Sequence, residues 1–354
     1  GGIGSLIFQL TGRLASADYA YEILNLRNRE LIQGIHASSL TAGATVLTAN
    51  TFAANSVELG IAGVEDQVAE INQAAVAIGR EAITEHRAEF PDSGSTYFVI
   101  GSIGPGGHAT DAYTEQIDAL IGAGVDALLL ETFTDIELAM QLVRSISSRR
   151  AAPPVIVHGA LDPGVGETQQ WPVEPTEFMD LAAEAGASVA GINCVAPWAA
   201  AAFVNEAKIA AAVATGEILL SAMPNAGGFE RIGHRFLARA NPEYMGTLVR
   251  QLGDSGASLV GGCCEVHPEH IREMSAYLKS RTPSAEPPAP GAQSYSGSQA
   301  TGRTTPGTVR DPDDPRRSNG EFSRKLFAGE FVVSVEIVAP AGIDARALDL
   351  RTLD

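Results

Sequence analysis

The stretch Ala185-Gly186-Ala187-Ser188-Val189-Ala190-Gly191-Ile192-Asn193-Cys194 carries the pattern that decides the fold. Its first four residues are small and fit a helix end followed by a turn, since glycine readily adopts the left-handed conformation of a helix cap. The apolar run over residues 188–193 is typical of a buried strand. The stretch therefore predicts one helix-to-strand unit that ends in a polar residue and a cysteine.

The same unit recurs between residues 40 and 280. Small-residue turns also stand at Ala123-Gly124-Val125-Asp126 and Ser255-Gly256-Ala257-Ser258, each directly before an apolar run. Apolar β-rich runs predict strands over residues 45–50, 97–102, 125–131, 154–158, 188–193, 217–221 and 258–261. Amphipathic stretches predict helices over residues 64–86, 111–123, 135–147, 174–185, 197–214, 242–253 and 268–278, with an extra helical segment at 19–42.

Alternation of nearly continuous apolar strands with helices favours a parallel sheet. Seven strands are predicted, and an eighth is expected just before Gly1, where Gly1-Gly2-Ile3-Gly4 looks like part of a turn. We therefore expect an α/β fold, a (β/α)8 TIM barrel, over residues 1–280. A doubly wound open sheet is the alternative.

The composition changes after Arg281. Residues 281–320 are rich in Pro, Ser, Gly, Thr and Ala, which predicts a flexible linker. Residues 321–354 contain one helical stretch and an alternating run at 331–337 that reads as a strand. So short a segment cannot build its own core. We expect it to be the truncated start of a second domain, with its run at 331–337 as the first strand of a second barrel.

Charge and cysteine content limit the classes of partner. The 354 residues carry a formal net charge of −18, which opposes binding to nucleic acid or to an anionic membrane. No apolar run approaches the length of a membrane span. Three cysteines are too few, and odd in number, for a disulfide scaffold. The sequence therefore predicts a cytoplasmic protein with no nucleic-acid or membrane partner.

All three cysteines follow predicted strands, at Cys194, Cys263 and Cys264. Because strand ends of a parallel barrel meet at one mouth, we expect the three thiols to converge. Three thiolates fit a zinc ion with one exchangeable position. Such an electron-rich site activates water poorly but can lower the pKa of an incoming thiol, which predicts sulfur alkylation. Two alternatives stay open: a structural zinc completed by His158 or His267, and a redox switch between Cys263 and Cys264.

Three polar residues also stand at predicted strand ends. Glu131 follows Leu128-Leu129-Leu130, and a carboxylate there is costly unless it meets a partner such as a substrate ammonium group. A salt bridge across the rim is the alternative explanation. Asn50 and Asn193 occupy similar positions and are predicted to contact substrate. The glycine-rich run over residues 101–107 lacks the lysine of a phosphate loop and indicates only a tightly shaped backbone near the mouth.

These residues resemble the zinc-dependent homocysteine S-methyltransferases, a family that includes the homocysteine module of cobalamin-dependent methionine synthase. The matching segments occur in family order and are Asn50-Thr51-Phe52, Gly101-Ser102-Ile103-Gly104-Pro105, Glu131-Thr132-Phe133, Gly191-Ile192-Asn193-Cys194, Pro224-Asn225-Ala226-Gly227 and Gly261-Gly262-Cys263-Cys264. The resemblance implies transfer of a methyl group to L-homocysteine, giving methionine, and so a place in methionine biosynthesis and one-carbon metabolism.

The resemblance also implies roles for particular residues. Cys194, Cys263 and Cys264 would bind zinc, Glu131 would hold the homocysteine amino group, and backbone near Gly2 would position its carboxylate. Family members usually carry an Asp before the first glycines, and this chain begins after that position. The residues after Cys264, Glu-Val-His-Pro, replace the commoner Gly-Thr-Thr-Pro without an expected effect on the zinc ligands.

The C-terminal segment resembles the start of a methylenetetrahydrofolate reductase, through Val335-Glu336-Ile337. FAD would belong only to the remainder of that domain, which these 354 residues lack. A fused reductase favours a methylfolate-derived methyl donor, taken directly or through a corrinoid, with S-methylmethionine or S-adenosylmethionine as the alternative donors. The competing function is a structural-zinc scaffold or docking module for the reductase.

Overall fold

The computed structural model describes residues 2–16, 20–164, 169–226, 230–232, 235–237, 240–279 and 332–335. The predicted linker at 281–320 lies outside these residues. The helices are α1 Ile3–Thr11, α2 Leu24–Arg27, α3 Arg29–Thr41, α4 Ser56–Ile61, α5 Val68–Glu89, α6 Thr114–Gly122, α7 Ile136–Ser147, α8 Pro175–Ala185, α9 Pro197–Ala207, α10 Ala211–Ala214, α11 Pro242–Asp254 and α12 Pro268–Lys279. The strands are β1 Val46–Thr48, β2 Phe98–Ile103, β3 Ala127–Phe133, β4 Val155–Gly159, β5 Val189–Asn193, β6 Leu219–Met223, β7 Glu230–Ile232, β8 Arg235–Leu237, β9 Ala257–Val260 and β10 Val332–Val335.

Seven parallel strands, β1 to β6 and β9, form a curled sheet with helices between them. Each neighbouring pair is in parallel register, as in Leu129 opposite Ile156 and Gly191 opposite Ser221. The strand β10 closes the sheet between β1 and β9, while β7 and β8 form a separate hairpin. The predicted α/β barrel is therefore confirmed as a TIM-barrel-like fold, and the doubly wound open sheet is wrong.

The position of β10 differs from the expectation. The run at 331–337 was predicted to open a second barrel, but Val332–Val335 pairs with β1 and β9 of the first barrel. The backbone N–H and C=O groups along the edges of β1 and β9 can pair with any extended segment. The alternation of apolar and polar residues at 331–337 predicts a strand but does not specify which barrel that strand joins. The assignment of residues 321–354 to a reductase-like domain stays a prediction.

The N-terminal residues also differ from the expectation of a turn. A helix, α1, begins at Ile3 directly after Gly2. Its apolar residues Ile3 and Ile7 are buried against Tyr21 and Ile32. Burial of this apolar face outweighs the weak helix propensity of the glycines. The other strands and helices predicted between residues 19 and 280 are confirmed within a few residues, except that the helix predicted over 197–214 is divided into α9 and α10. The helical stretch predicted within residues 321–354 lies outside the described residues. The predicted turn glycines at 124, 186 and 256 have φ angles of 76°, 96° and 109°.

Successive side chains of each strand point alternately into the barrel and outward to the layer under the helices. Leu128 and Leu130 of β3 belong to the large cluster that contains the helix residues. Leu129 belongs to a smaller cluster with members from all seven strands of the curled sheet, such as Ile156. The next inward position of β3 is Glu131, and this places its carboxylate at the mouth of the barrel.

The described helices offer no membrane span, because none combines the necessary length with the necessary apolar character.

Candidate metal centre and substrate site

The three cysteine thiols converge at the barrel mouth. Cys194 follows β5, and Cys263 and Cys264 follow β9. The Sγ atoms of Cys194 and Cys264 lie 3.7 Å apart, those of Cys263 and Cys264 lie 3.8 Å apart, and all three fall within 4.8 Å of one another. All three cysteines are free thiols. The predicted convergence is confirmed, and the spacing and donor chemistry fit one metal ion that prefers sulfur ligands.

The end of β6 and the residues directly after it hold both cysteine loops. The Cys194 N–H donates to the Met223 carbonyl at 3.2 Å, and the Cys263 N–H donates to the Pro224 carbonyl at 2.9 Å. The Cys264 N–H donates to Oδ1 of Asn225 at 3.1 Å. Both sides of the thiol cluster are therefore fixed by the same three residues, 223–225.

The thiols polarise one another. Hydrogen bonds from Cys263 and Cys264, joined by one from Asn225, hold the pKa of the Cys194 thiol well below its usual range. Burial raises the pKa of the Cys263 thiol, and the neighbouring sulfurs raise it further. The Cys194 thiol therefore loses its proton more readily than the Cys263 thiol, and a cation in the cluster would favour the thiolate form of all three.

An aromatic ring covers the thiols. Phe52, two residues after Asn50, packs against Cys263 and Cys264. A side chain at Gly104 would collide with this ring, because its Cβ would lie 2.3 Å from Cε2 of Phe52. The glycine-rich loop thus shapes the mouth by making room for the ring, as its sequence predicted.

Glu131 is fully buried at the end of β3. The Ser102 hydroxyl of β2 donates to its Oε1, and Nδ2 of Asn193 lies 3.5 Å from its Oε2. The Ser102 backbone is fixed in turn by Thr51, whose hydroxyl donates to the Ser102 carbonyl at 2.8 Å. The uncharged side chains of Ser102 and Asn193 thus hold the carboxylate in place. Burial of a charged carboxylate costs free energy, and a cationic partner offsets that cost.

Asn193 bonds to the end of β3. The Thr132 N–H donates to its Oδ1 at 2.9 Å, and its Nδ2 donates to Oγ1 of Thr132 at 2.9 Å. Thr132 has a φ of 65°, and the neighbouring Cys194 has a φ of 55°. A left-handed φ is unusual for any residue with a side chain and a clear outlier for a β-branched one. These contacts place Asn193 beside the site, bonded to protein groups.

The other two residues predicted to contact substrate have different surroundings. Asn50 donates through Nδ2 to the Tyr21 carbonyl at 2.9 Å and to Oδ1 of Asn25 at 3.0 Å. It therefore braces the segment around α2 with both amide hydrogens. Gly2 lies against the loop that contains Cys263 and Cys264, since a Cβ at Gly2 would be 3.4 Å from the Cα of Cys264. Gly2 also directly precedes the first turn of α1, whose N–H groups favour anions.

The histidines do not join the thiols. Among the described residues, the group able to hold a metal ion contains Cys194, Cys263 and Cys264 only. His158 is buried in the barrel with Nε2 2.9 Å from Oγ of Ser221. His267 has Nε2 3.5 Å from Oε2 of Glu265. The alternative of a structural zinc completed by either histidine is therefore not supported.

Sequence reasoning missed the supporting residues. Asn225 stands inside the matched segment Pro224-Asn225-Ala226-Gly227, but no role was predicted for it. Ser102 stands inside the glycine-rich loop and received none. The available signal was a polar residue following a strand end, the same signal that selected Glu131 and Asn193.

Comparison with known proteins identifies the family of this chain. The profile of the family described as homocysteine S-methyltransferase matches residues 1–278. The chain belongs to this family of methyl-transferring enzymes. It is 32% identical over 285 residues to methionine synthase from Mycobacterium leprae and 31% identical over 287 residues to that from Mycobacterium tuberculosis. Each match covers 72% of this chain and 22% of the relative, so the chain spans about a fifth of the length of these curated relatives.

Solved structures of the homocysteine S-methyltransferase family share the fold. The oxidised form of the homocysteine methyltransferase MmuM from Escherichia coli has a TM-score of 0.64 at 21% identity, covering 78% of this chain and 94% of that one. The metallated form of MmuM has a TM-score of 0.61 at 22% identity with the same coverage. At this identity the likeness shows the fold alone.

Proposed function

We propose that this family member binds zinc through Cys194, Cys263 and Cys264 and transfers a methyl group to the thiol of L-homocysteine, giving methionine. The observation that carries the proposal is the convergence of three free thiols within 4.8 Å at the mouth of the barrel. Zinc, when bound there, would lower the pKa of an incoming thiol and keep it in its nucleophilic form. The metallated form of MmuM supports a metal in this fold.

The chain's own residues would bind and orient the amino acid. The Glu131 carboxylate would accept hydrogen bonds from the homocysteine ammonium group. The backbone N–H groups beside Gly2, at the start of α1, would bind the substrate carboxylate. Holding both ends of the amino acid would aim its sulfur at the donor's methyl carbon, and such orientation supplies much of the rate in a bimolecular transfer.

The methyl transfer is a nucleophilic displacement at the methyl carbon of the donor. The homocysteine thiol loses its proton, its sulfur forms a bond to the methyl carbon, and the bond between that carbon and the donor breaks with its electron pair leaving on the donor. Phe52 over the thiols would exclude water from the attacking sulfur.

We propose a methylfolate-derived donor, taken directly or through a corrinoid. The match to two methionine synthases supports this choice. S-methylmethionine and S-adenosylmethionine are the alternatives.

The test is methionine formation by the zinc-loaded protein. Purified chain is incubated with L-homocysteine and, separately, methyltetrahydrofolate, methylcobalamin, S-methylmethionine or S-adenosylmethionine, and methionine is measured by mass spectrometry. We expect formation with at least one donor and none with the Cys263→Ala variant. Absence of both zinc binding and homocysteine binding would overturn the proposal and favour a docking module.

A further inference from the structure

We propose that Asn193 is a positioning residue whose side-chain amide holds the Glu131–Thr132 end of β3 in the conformation that presents Glu131 to substrate. This inference rests on the proposed function, because it concerns the binding of L-homocysteine at the same site. It replaces the expectation that Asn193 itself touches the substrate.

The first support is the backbone conformation of Thr132. Its φ of 65° is left-handed, although a β-branched side chain strongly disfavours that region. The register between β3 and β4 shifts between Leu130 and Phe133, so the regular ladder does not impose this conformation. Something outside the strand must hold it.

The amide of Asn193 supplies that hold. Its Oδ1 accepts from the Thr132 N–H and its Nδ2 donates to the Thr132 Oγ1, each at 2.9 Å. One side chain thus engages the backbone and the side chain of the same residue. Both groups are buried, and leaving either unbonded would cost the full desolvation of a polar group.

The same amide reaches the carboxylate. Nδ2 of Asn193 lies 3.5 Å from Oε2 of Glu131, and the Ser102 hydroxyl donates to the other carboxylate oxygen, Oε1. Asn193 is also joined directly to Cys194 in the chain. The position of the substrate-binding carboxylate is therefore tied to the thiol cluster through a single side chain, which matters because the homocysteine ammonium and thiol must be held at a fixed separation.

The test compares two substitutions at Thr132 that separate backbone strain from side-chain packing. Thr132→Val keeps the branched shape but loses Oγ1, so the hydrogen bond from Nδ2 of Asn193 is lost while the disfavoured φ remains. Thr132→Gly loses the side chain but adopts a left-handed φ without help. We expect Thr132→Val to weaken L-homocysteine binding about tenfold and Thr132→Gly to weaken it by less than about threefold. Binding is measured by calorimetry on zinc-loaded protein.

Asn193→Ala completes the cycle. We expect it to keep its zinc, weaken homocysteine binding at least about tenfold and raise KM more than it lowers kcat, with a smaller penalty when Thr132→Gly is also present. Asn72→Ala is the matched control, since Asn72 is an equally buried amide that donates to the Ala54 and Val68 carbonyls. It should lower Tm and leave homocysteine binding unchanged.

Each outcome decides the matter. If Thr132→Gly binds L-homocysteine as weakly as Thr132→Val or more weakly, or if Asn193→Ala keeps wild-type affinity, the positioning role is overturned and the proposed function stays intact. Failure of the wild-type protein to bind L-homocysteine overturns both.

Discussion

The Sγ atoms of Cys194 and Cys264 lie 3.7 Å apart, although 70 residues separate the two cysteines in the chain. Closure of the parallel sheet brings the ends of β5 and β9 to one mouth, with β6 between them. The residues after β6 bond to both cysteine loops, so the thiol cluster depends on three successive strands of the barrel. The positions of the three cysteines are therefore set by the fold of the barrel.

Loss of one thiol should remove the metal. Cys263→Ala is expected to weaken zinc binding by more than about 100-fold, because two thiolates no longer complete the ligand set. Methionine formation should be lost with it. Zinc content by elemental analysis and methionine by mass spectrometry check this. Cys194→Ala, on the other strand, should behave in the same way, and a variant of either cysteine that keeps zinc and activity would contradict a shared site.

Glu131 should contribute to substrate binding without contributing to metal binding. Glu131→Gln keeps the shape but removes the negative charge that attracts the ammonium group, so we expect homocysteine affinity to fall about 10- to 100-fold. Zinc content should not change. The exposed Glu137, on α7 of the same βα unit, provides the control as Glu137→Gln and should bind homocysteine normally. Equal affinity in the two variants would exclude the proposed role.

Close packing of β5 against β6 should make Gly191 irreplaceable. A Cβ at Gly191 would lie 1.9 Å from the backbone oxygen of Ser221, so Gly191→Ala must displace a strand and should cost at least about 3 kcal/mol. Gly34 is the matched control, since it lies inside α3 with open space around it. Gly34→Ala should stabilise the protein by about 0.5–1 kcal/mol. Urea unfolding checks both, and a tolerated Gly191→Ala would contradict the packing of the barrel.

His158 should make stability depend on pH. Burial lowers the pKa of its imidazole to about 3 from an ordinary value of 6.5, so the folded state keeps the neutral form. Protonation therefore favours the unfolded chain, and stability is fully present above about pH 6.5 and decreases as the pH falls toward 3. Between pH 7 and pH 5 the wild-type protein should lose about 2 kcal/mol through this residue.

Comparison with His158→Gln isolates the effect. The variant lacks the titrating group, so the free-energy difference between it and wild-type protein should shrink by about 2 kcal/mol between pH 7 and pH 5. Urea unfolding of the metal-free proteins at both values measures it. The same difference at both pH values would mean that the imidazole is not buried in its neutral form.

The sequence was sufficient for the barrel and for the thiols. Turns such as Ala185-Gly186-Ala187-Ser188 mark where helices end, and strand ends of a parallel barrel share one mouth, so the convergence of Cys194 with Cys263 follows from topology. The position of β10 could not be predicted from the sequence, because the alternating residues 331–337 can pair with an edge strand of either the first or the expected second barrel. The helix α1 did not follow either, because its stability comes from tertiary burial of residues such as Ile7.

The positioning role proposed for Asn193 also lay beyond the sequence. An asparagine at a strand end can bond to substrate or to protein with equal chemical ease. Only the left-handed φ of Thr132 and the direction of the Asn193 amide distinguish the two. The spacing of residues in the sequence predicts neither the φ of Thr132 nor the direction of the Asn193 amide, because both depend on the register shift between β3 and β4.

The central claim is that the three thiols hold zinc with a position open to the homocysteine sulfur. Zinc K-edge X-ray absorption on the reduced, zinc-loaded protein tests it most directly, with and without L-homocysteine. The account predicts three sulfur neighbours in the free protein and four after homocysteine is added. An unchanged first shell, or fewer than three sulfurs at the start, would contradict it.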